Sequence, residues 1–431
     1  LKNLKSFLEK DCKIFEFIGF LPEGQACYLV GGAVRDALRG RAIHDYDFAS
    51  PGDPTSLARA WARQCKGHWF WLDKPRRQSR VVLGRGAQEP TFDFSPFRAA
   101  DLEGDLRGRD FTVNALAIDM TATDAPELID PLGGAQDLAQ GRLRACAATS
   151  FADDPLRVVR AARFAAVHDL YPDRETCSLA QAASSQLVKV AGERIKAELF
   201  ILFGSAQLLK GLEVLADCAG LTNIFGAATE REQSVAIEET TEFCERLSAL
   251  DGMQDCLADG VEAGLTRAGL LRLGAFLRAY PIALGLIGLG QRLALARVTT
   301  NRLQALALLR PSQISPLPGN NNPSQRQLAL WAARLGRDPL DALVFLACQV
   351  DATAQLKKLI PHVARAWQSL NLDGRVPPLL GGDWVRRELH VSNGRTVGKL
   401  LDALTEAELN GSVTSPESAQ EFLKSLSQKE D

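Results

Sequence analysis

The 431-residue chain has no C-x-x-C pair. Its nine cysteines, Cys12, Cys27, Cys65, Cys146, Cys177, Cys218, Cys244, Cys256 and Cys348, all stand singly. Neither a paired-cysteine zinc site nor a disulfide framework is signalled, and an odd set of lone thiols fits a reducing, cytoplasmic setting. Long apolar runs are also missing. The opening LKNLKSFLEKDCKIFEFIGF has no extended apolar core and no small-residue cleavage site, which argues against secretion and membrane insertion. Charge of either sign is not in excess: 50 Lys and Arg against 52 Asp and Glu leave a net −2. A nucleic-acid partner would therefore have to be met by a local patch. The candidates are Lys74, Arg76, Arg77 and Arg80, and the arginines from Arg157 to Arg163; for the first group a solvated charged face is the alternative. A G-x-G-x-x-G fingerprint is absent too, since GGAVRD lacks its spacing, and this disfavours a dinucleotide-binding oxidoreductase.

What is present is an ordinary globular composition, 46% apolar and 24% charged. The length is about three times that of a typical domain, so two to four cores are expected. Residues 1–26 read as an amphipathic helix closed by a turn at Pro22 to Gly24. From 27 to 145 the runs CYLVGG, DYDFAS, HWFWL, RVVLGR and TFDFS carry β-branched or aromatic residues bounded by Gly, Pro or Asp, the pattern of strands in a small mixed domain. After Ser150 the periodicity is helical, with no strand expected to the C-terminus. PSQISPLPGNNNPSQ, Pro311 to Gln325, reads as a linker, and a second break falls between Asp373 and Asp383.

Several side chains in the first part carry chemistry. In LVGGAVRDALRGRAIHDYDFAS a strand ends on Gly31 and Gly32 before a helix, so backbone amides face whatever lies above them, a geometry that cradles phosphate. Asp45 and Asp47, two apart on a predicted strand, point to one face. Carboxylates that close call for a cation, and all-oxygen ligation suits Mg²⁺ bridging nucleotide phosphates; the alternative is a strand with its acidic face in water. In TFDFSPFR, Phe92 and Phe94 take the core face and Asp93 the polar one. If this strand neighbours that of Asp47, three carboxylates converge as two-metal phosphoryl transfer requires; otherwise Asp93 is plain surface. RGRDFTVNALAID, Arg107 to Asp119, resembles the start of a helix. There Arg109, with Asp110 and Asn114, suits a triphosphate, or else Arg109 and Asp110 are ordinary capping. In FADDPLRVVRAARFAAVHDL a helix starting near Asp154 puts Arg157, Arg160 and Arg163 along one side. Asp154 and Arg157 could meet the Watson–Crick edge of a base and the later arginines phosphates, or the helix simply has a salt-bridged wet side.

GGAVRD, HDYDFA, RGRDFTVNALAID, DPLGGAQDL, DDPLRVVRAARFAA and GERIKAEL follow in this order. Together they resemble the class II tRNA nucleotidyltransferases and bacterial poly(A) polymerases, continuously over residues 27–205. The likeness returns weakly in LLGGDWVRRELHVSNGRTVGKLLDALTEAELNGSV. The resemblance implies an α+β fold: a small mixed β-sheet catalytic head (27–145) after the N-terminal helix (1–26), then an all-α neck (146–215), body (216–325) and RNA-binding tail (326–431). It implies addition of C and A, from CTP and ATP, to the 3′ end of a tRNA engaged through that end and its acceptor arm. The 3′ hydroxyl would attack the α-phosphate without a covalent enzyme intermediate, with two Mg²⁺ ions held by Asp45 and Asp47 and Asp93 as third catalytic carboxylate. Gly32, Arg35 and Arg109 match positions that hold the triphosphate, and Gly31, Asp110 and Asn114 are counted with them. Asp154 and Arg157 match the residues that read CTP or ATP in place of a template, and Arg160 and Arg163 those that complete the nucleotide site.

The chain departs from the family pattern at three places. Asp153 stands where Glu is usual, and Arg107-Gly108 precede Arg109 where a second adjacent arginine is common. The stretch Arg98 to Arg107 is short, leaving little room for the flexible loop of full CCA-adding members, and lack of that loop goes with addition of the two C residues only. The HD phosphohydrolase domain of some relatives is not expected. Of five histidines, His44 belongs to the head and His168 ends the neck helix, while His68, His362 and His390 read as structural. A poly(A) polymerase shares every motif, but the closing SLSQKED is not basic, which favours tRNA. A non-catalytic RNA-binding relative would have no reason to cluster carboxylates beside a polyanion.

Overall fold

The computed structural model describes residues 11–84, 89–121, 127–282, 284–310, 323–336, 338–349, 354–370 and 376–427. The chain forms two compact units, Leu1–Leu202 with Ala206–Ile224, and Phe203–Ser205 with Phe225–Asp431.

The first unit is built on a seven-stranded sheet of β1 (Tyr28–Val30), β2 (Asp45–Ser50), β3 (His68–Asp73), β4 (Gln78–Val82), β5 (Thr91–Pro96), β6 (Ala117–Asp119) and β7 (Leu128–Ile129), in the order β3-β4-β5-β2-β1-β6-β7. Only β2 and β5 run parallel; the other neighbours are antiparallel. Period-2 alternation sends Tyr46, Phe48, Phe92, Phe94 and Val81 to one face, where they are buried. The rings stack across the parallel pair, Tyr46 on Phe92 at 4.7 Å and Phe48 on Phe94 at 5.4 Å between centroids. Phe17 and Trp61, from the helices Cys12–Phe20 and Thr55–Gln64, close over them in a T-shaped contact at 5.1 Å. Each such ring withdrawn from water contributes about 2–3 kcal/mol. Asp11 begins the first of these helices by accepting from the amides of Lys13 and Ile14, and its carboxylate also accepts the Tyr46 hydroxyl at 2.9 Å. The helix is thereby fastened to the strand that carries Asp45 and Asp47.

The helix Arg157–His168 follows the sheet, with Val158, Val159, Ala161, Ala162, Ala165 and Ala166 buried. Leu208–Asp217 packs against it so closely that a Cβ on Gly211 would lie 2.8 Å from the Ala162 carbonyl and 2.3 Å from Leu202. The second unit is predominantly helical. Its last helices, Gly382–Glu388, Gly394–Leu409 and Pro416–Ser427, share a core of Val385, Val397, Leu400, Leu404, Ala419 and Leu423. Elsewhere in this unit the buried Asp341 accepts from Arg302 at 2.6 and 2.7 Å and from Arg267.

The α+β expectation holds, with three local corrections. Thr112–Asn114 is a single 3₁₀ turn, not the start of a helix, and the apolar run after it is β6, paired with β1 from Tyr28–Asp119 to Val30–Ala117. A short, doubly buried strand cannot be told from helix by periodicity. The later helix begins at Arg157 rather than near Asp154, which is extended at φ −146°, ψ 97°. Pro155 follows Asp154, and the ring of a proline disfavours the α conformation for the residue before it. The region after Ser150 is not free of strand. Tyr171–Pro172 pairs with Arg142–Leu143, and Gly260–Glu262 with Leu265–Thr266, elements too short to leave a pattern. Most of the proposed linker (311–322) and part of the second break (371–375) lie outside the described residues. Among the described residues no helix is long and apolar enough to cross a membrane.

Candidate active site

The polar face of the sheet opens into a cavity of about 390 Å³ lined by Val30, Gly31, Gly32, Asp47, Ser95, Arg98, Arg109, Asp110, Asn114, Asp154, Leu156, Arg157, Arg160 and Arg194. Its floor follows from strand register. Asp47 on β2 lies opposite Asp93 on β5, and Asp93 opposite Arg80 on β4. Arg80 grips Asp93 with two hydrogen bonds, Nε to Oδ1 at 2.6 Å and Nη2 to Oδ2 at 2.8 Å. Asp45, one pleat further along β2, accepts the Thr91 hydroxyl at 2.6 Å. Asp47 receives no such bond. Burial, then the negative charge of Asp93, push its carboxyl up to about 6 against the pull of Arg109. The neighbouring-strand condition is thus met, but full convergence is not: among the described residues no group of three or more His, Cys, Asp or Glu is assembled as a ligand cluster. Arg80 holds Asp93 and Thr91 holds Asp45.

Gly31 follows β1 at φ 72°, ψ −132°, a conformation side chains rarely adopt, and its N–H donates to Leu116 O at 3.1 Å. A Cβ there would sit 2.8 Å from Arg109 Nη1 and 3.8 Å from Asp47 Oδ2. The glycine therefore lets a guanidinium lie over the strand end beside the carboxylate. Arg109 is held by Asp105, which accepts from its Nε at 3.2 Å and Nη2 at 2.9 Å and also from the Arg98 amide at 2.9 Å. Arg109 pairs with Asp105 and not, as capping would have it, with Asp110.

Asp110 belongs to a different network. Its Oδ1 accepts from Phe111 N at 2.8 Å and Asn114 Nδ2 at 2.9 Å, and its Oδ2 accepts from Arg160 Nε at 3.0 Å and Nη2 at 2.5 Å. Burial would raise this carboxyl, yet Arg160 and the hydrogen bonds from Asn114 and Phe111 outweigh burial and hold it down at about 2. Arg160 also donates to Glu198 Oε1 at 3.0 Å, and Arg163 donates to Glu198 Oε2. Arg35 does not reach the cavity wall. It is buried, donates to Asn114 Oδ1 at 2.8 Å and to Asp36, and stacks over Phe164 at 5.4 Å. Arg163, facing Glu198 and Phe164, also stays off the wall.

The base-reading candidates Asp154 and Arg157 share the wall without bonding to each other. Asp154 accepts from Leu156 N at 3.2 Å and Arg194 Nη2 at 2.7 Å. Arg157 donates through Nη1 to Ser150 O at 3.1 Å and through Nη2 to Gly108 O at 3.0 Å, so backbone carbonyls aim its guanidinium. Sequence reasoning missed Arg98, Arg194 and Glu198. The last two stand four apart in GERIKAEL, hence on one face of the helix Gly192–Gly204, and that spacing is the signal that could have found them. Five arginines on the wall face three carboxylates, a balance suited to a polyphosphate, with an acidic corner at Asp47.

Comparison with known proteins gives the family. The model of the poly A polymerase head domain matches residues 27–144. The CC-adding tRNA nucleotidyltransferase of Geobacter sulfurreducens is 34% identical over 409 residues, 93% of this chain and 92% of that protein. The CC-adding tRNA nucleotidyltransferase of Synechocystis sp. is 32% identical over 416 residues, 93% and 94% of the two chains. A CCA-adding enzyme solved in complex with CTP superposes with a TM-score of 0.72 over 98% of each chain; at 23% identity that likeness is one of fold. With full-length relatives above 30% identity, this chain belongs to the family of tRNA nucleotidyltransferases whose catalytic head is shared with poly(A) polymerases.

Proposed function

We propose that this chain adds the two C residues to the 3′ end of tRNA, transferring the nucleotidyl group of CTP onto the terminal hydroxyl with release of pyrophosphate. The observation that carries the reading is the single cavity in which Asp47, in register with Asp93, shares walls with Arg109 and with the pair Asp154 and Arg157. In this reading Gly31, Gly32 and Arg109 hold the triphosphate, Asp154 and Arg157 present acceptor and donor to the cytosine edge, and Arg160, bonded to Asp110, keeps that wall rigid. Arg35 and Arg163 act from behind it, Arg35 by orienting Asn114 and Arg163 through Glu198.

The family's chemistry depends on metal, and the donor set fits a hard divalent cation, since a carboxyl raised to about 6 by burial and by Asp93 is one a bound cation would keep charged. We assign two Mg²⁺ ions to Asp45 and Asp47. When bound, they would acidify the RNA 3′ hydroxyl and offset the charge of the departing pyrophosphate. Asp93, fixed by Arg80, serves as the third carboxylate on the hydroxyl's side of the site.

Restriction to C is supported by the short segment after β5. Asp101 caps the helix Leu102–Arg107 there, and Asp105 is buried beneath Arg109, so the segment is committed to building the triphosphate wall. The two full-length relatives carry the CC-adding name. The same proposal divides the chain into head (27–145), neck (146–215), body (216–325) and RNA-binding tail (326–431), and places it in the cytoplasm.

Purified protein with Mg²⁺ is offered tRNAs ending before CCA or after CC, and an unrelated RNA, with labelled CTP and ATP separately and together. Two added C residues on the first tRNA and nothing on the others is the expected result. Addition of A would widen the specificity to CCA, long A tails on unrelated RNA would make the chain a poly(A) polymerase, and no incorporation at all would sink the enzymatic reading.

A further inference from the structure

The register that brings Asp47 and Asp93 together extends two strands further. Asp93 pairs with Arg80 on β4, and Arg80 with Phe70 on the edge strand β3. Directly paired residues share a face, so Phe70 stands on the same side of the sheet as the carboxylates. At about 4.8 Å per strand it is roughly 14 Å from Asp47, the length of a few stacked nucleotides. The other face of β3 is used for packing: Trp69 leans on the core of the unit and Arg59 lies over its ring at 4.2 Å. Phe70 packs on nothing comparable; it is 44% exposed, and Leu72 beside it 47%. The turn from β3 to β4 carries Lys74, Arg76 and Arg77, all exposed; Arg77 faces Asp53 at 3.3 Å, and Arg76 lies 3.7 Å from Asp73. Arg76 lines a second cavity together with Arg98 and Arg157, which also line the first. An exposed aromatic ring and a cationic turn thus stand on the two strands that continue the sheet beyond Asp93, and Arg76 joins that turn to the site of transfer.

We propose that Phe70 is a stacking platform for an unpaired base near the 3′ end of the RNA primer, and that Lys74 and Arg76 hold the phosphates beside it. This rests on the reading of the cavity as a nucleotidyltransferase site. Unpaired RNA is the chemistry that matches: every base offers a π-face to the ring and every linkage a negative charge to the hairpin. Stacking needs no base identity, so the platform would hold the growing end in place while its terminal nucleotide changes from one addition to the next.

The test is the dissociation constant for tRNA lacking CCA, measured in EDTA without nucleotide, for the wild type and for Phe70→Ala, Phe70→Leu and Phe70→Trp. The KM values for tRNA and CTP are then measured with Mg²⁺. Stacking predicts that Ala and Leu each weaken tRNA binding about tenfold, that Trp keeps it, and that the KM for CTP stays constant. A 5-iodocytidine near the primer's 3′ end is expected to crosslink to the β3 peptide. Leu binding tRNA as well as Phe does, Ala having no effect, or a crosslink only elsewhere would each overturn the proposal. The binding and crosslinking arms need no turnover, so loss of all nucleotide incorporation would count against the enzymatic reading while these arms still judge Phe70.

Discussion

Asp47 is held where its ionised form is least comfortable. Its carboxyl, at about 6, stands above its ordinary 3.8, so the folded chain binds that proton more tightly than the unfolded one does. Stability from this group is full below pH 3.8 and is lost as pH rises through 6, a penalty of about 1–3 kcal/mol at neutral pH without a cation. Asp47→Asn should accordingly raise stability by about that amount in EDTA at pH 7.5 and abolish nucleotide incorporation, the trade expected where function is built on strain. Urea unfolding of the two proteins reads this directly, and a variant less stable than wild type would refute it. The alternation of Asp45, Asp47 and Asp93 with aromatic residues made these carboxylates visible in the sequence, because a strand's side chains are sorted by parity. Their partners were not visible. Arg80 and Asp93 are 13 positions apart, and Arg35 and Asn114 are 79 apart. Which arginine is spent on structure and which is left to a substrate is decided by contacts of that range.

At the scale of the element, the helix Arg157–His168 carries its arginines at intervals of three as its sequence indicates, yet they serve different ends. Arg157 faces the cavity under the control of two carbonyls, Arg160 bridges Asp110 and Glu198, and Arg163 is turned to Glu198 and the ring of Phe164. Glu198, buried on the helix Gly192–Gly204, is thus the counter-charge that locks two helices together. Removing it leaves Arg163 without its carboxylate in a poorly hydrated place, where an uncompensated charge costs about 3 kcal/mol or more. Glu198→Ala should lose about that much stability in denaturant unfolding, with Glu198→Gln losing less; equal stability of Ala and wild type would show the bridge to be idle. The helix start could have been read from Pro155, but the exchange of helix for strand at Ala117–Asp119 could not, since only the company of β1 and β7 makes that run a strand.

Over the whole molecule the balanced charge conceals strong local asymmetry. Around His168 stand Arg35, Arg39, Arg41 and Arg163, with Arg41 Nη1 3.3 Å from its Nδ1 and Phe164 5.1 Å from its ring. Burial, then those cations, bring this imidazole down to about 3. Above pH 6.5 it is neutral in both the folded and the unfolded chain. As pH falls toward 3 only the unfolded chain takes up the proton, so the stability present above 6.5 is progressively lost. Between pH 7 and pH 5 this group should cost about 2 kcal/mol. His168→Gln should flatten that part of the pH profile, and a variant as acid-sensitive as the wild type would refute the assignment.

The sequence by itself determined what local periodicity can encode: the mixed first part and helical remainder, the face on which each carboxylate stands, the glycine pair at the strand end, and the family. Tertiary structure alone decided the rest. It placed Asp47 opposite Asp93, paired Arg109 with Asp105 and Asp110 with Arg160, withdrew Arg35 and Arg163 from the cavity wall, and supplied Arg98 and Arg194 in their place. The physical reason is range. Backbone preference and side-chain parity act over a few residues and are written in order along the chain, whereas a charged group in a low-dielectric cleft takes its role from whichever opposite charge the fold brings within about 3 Å of it.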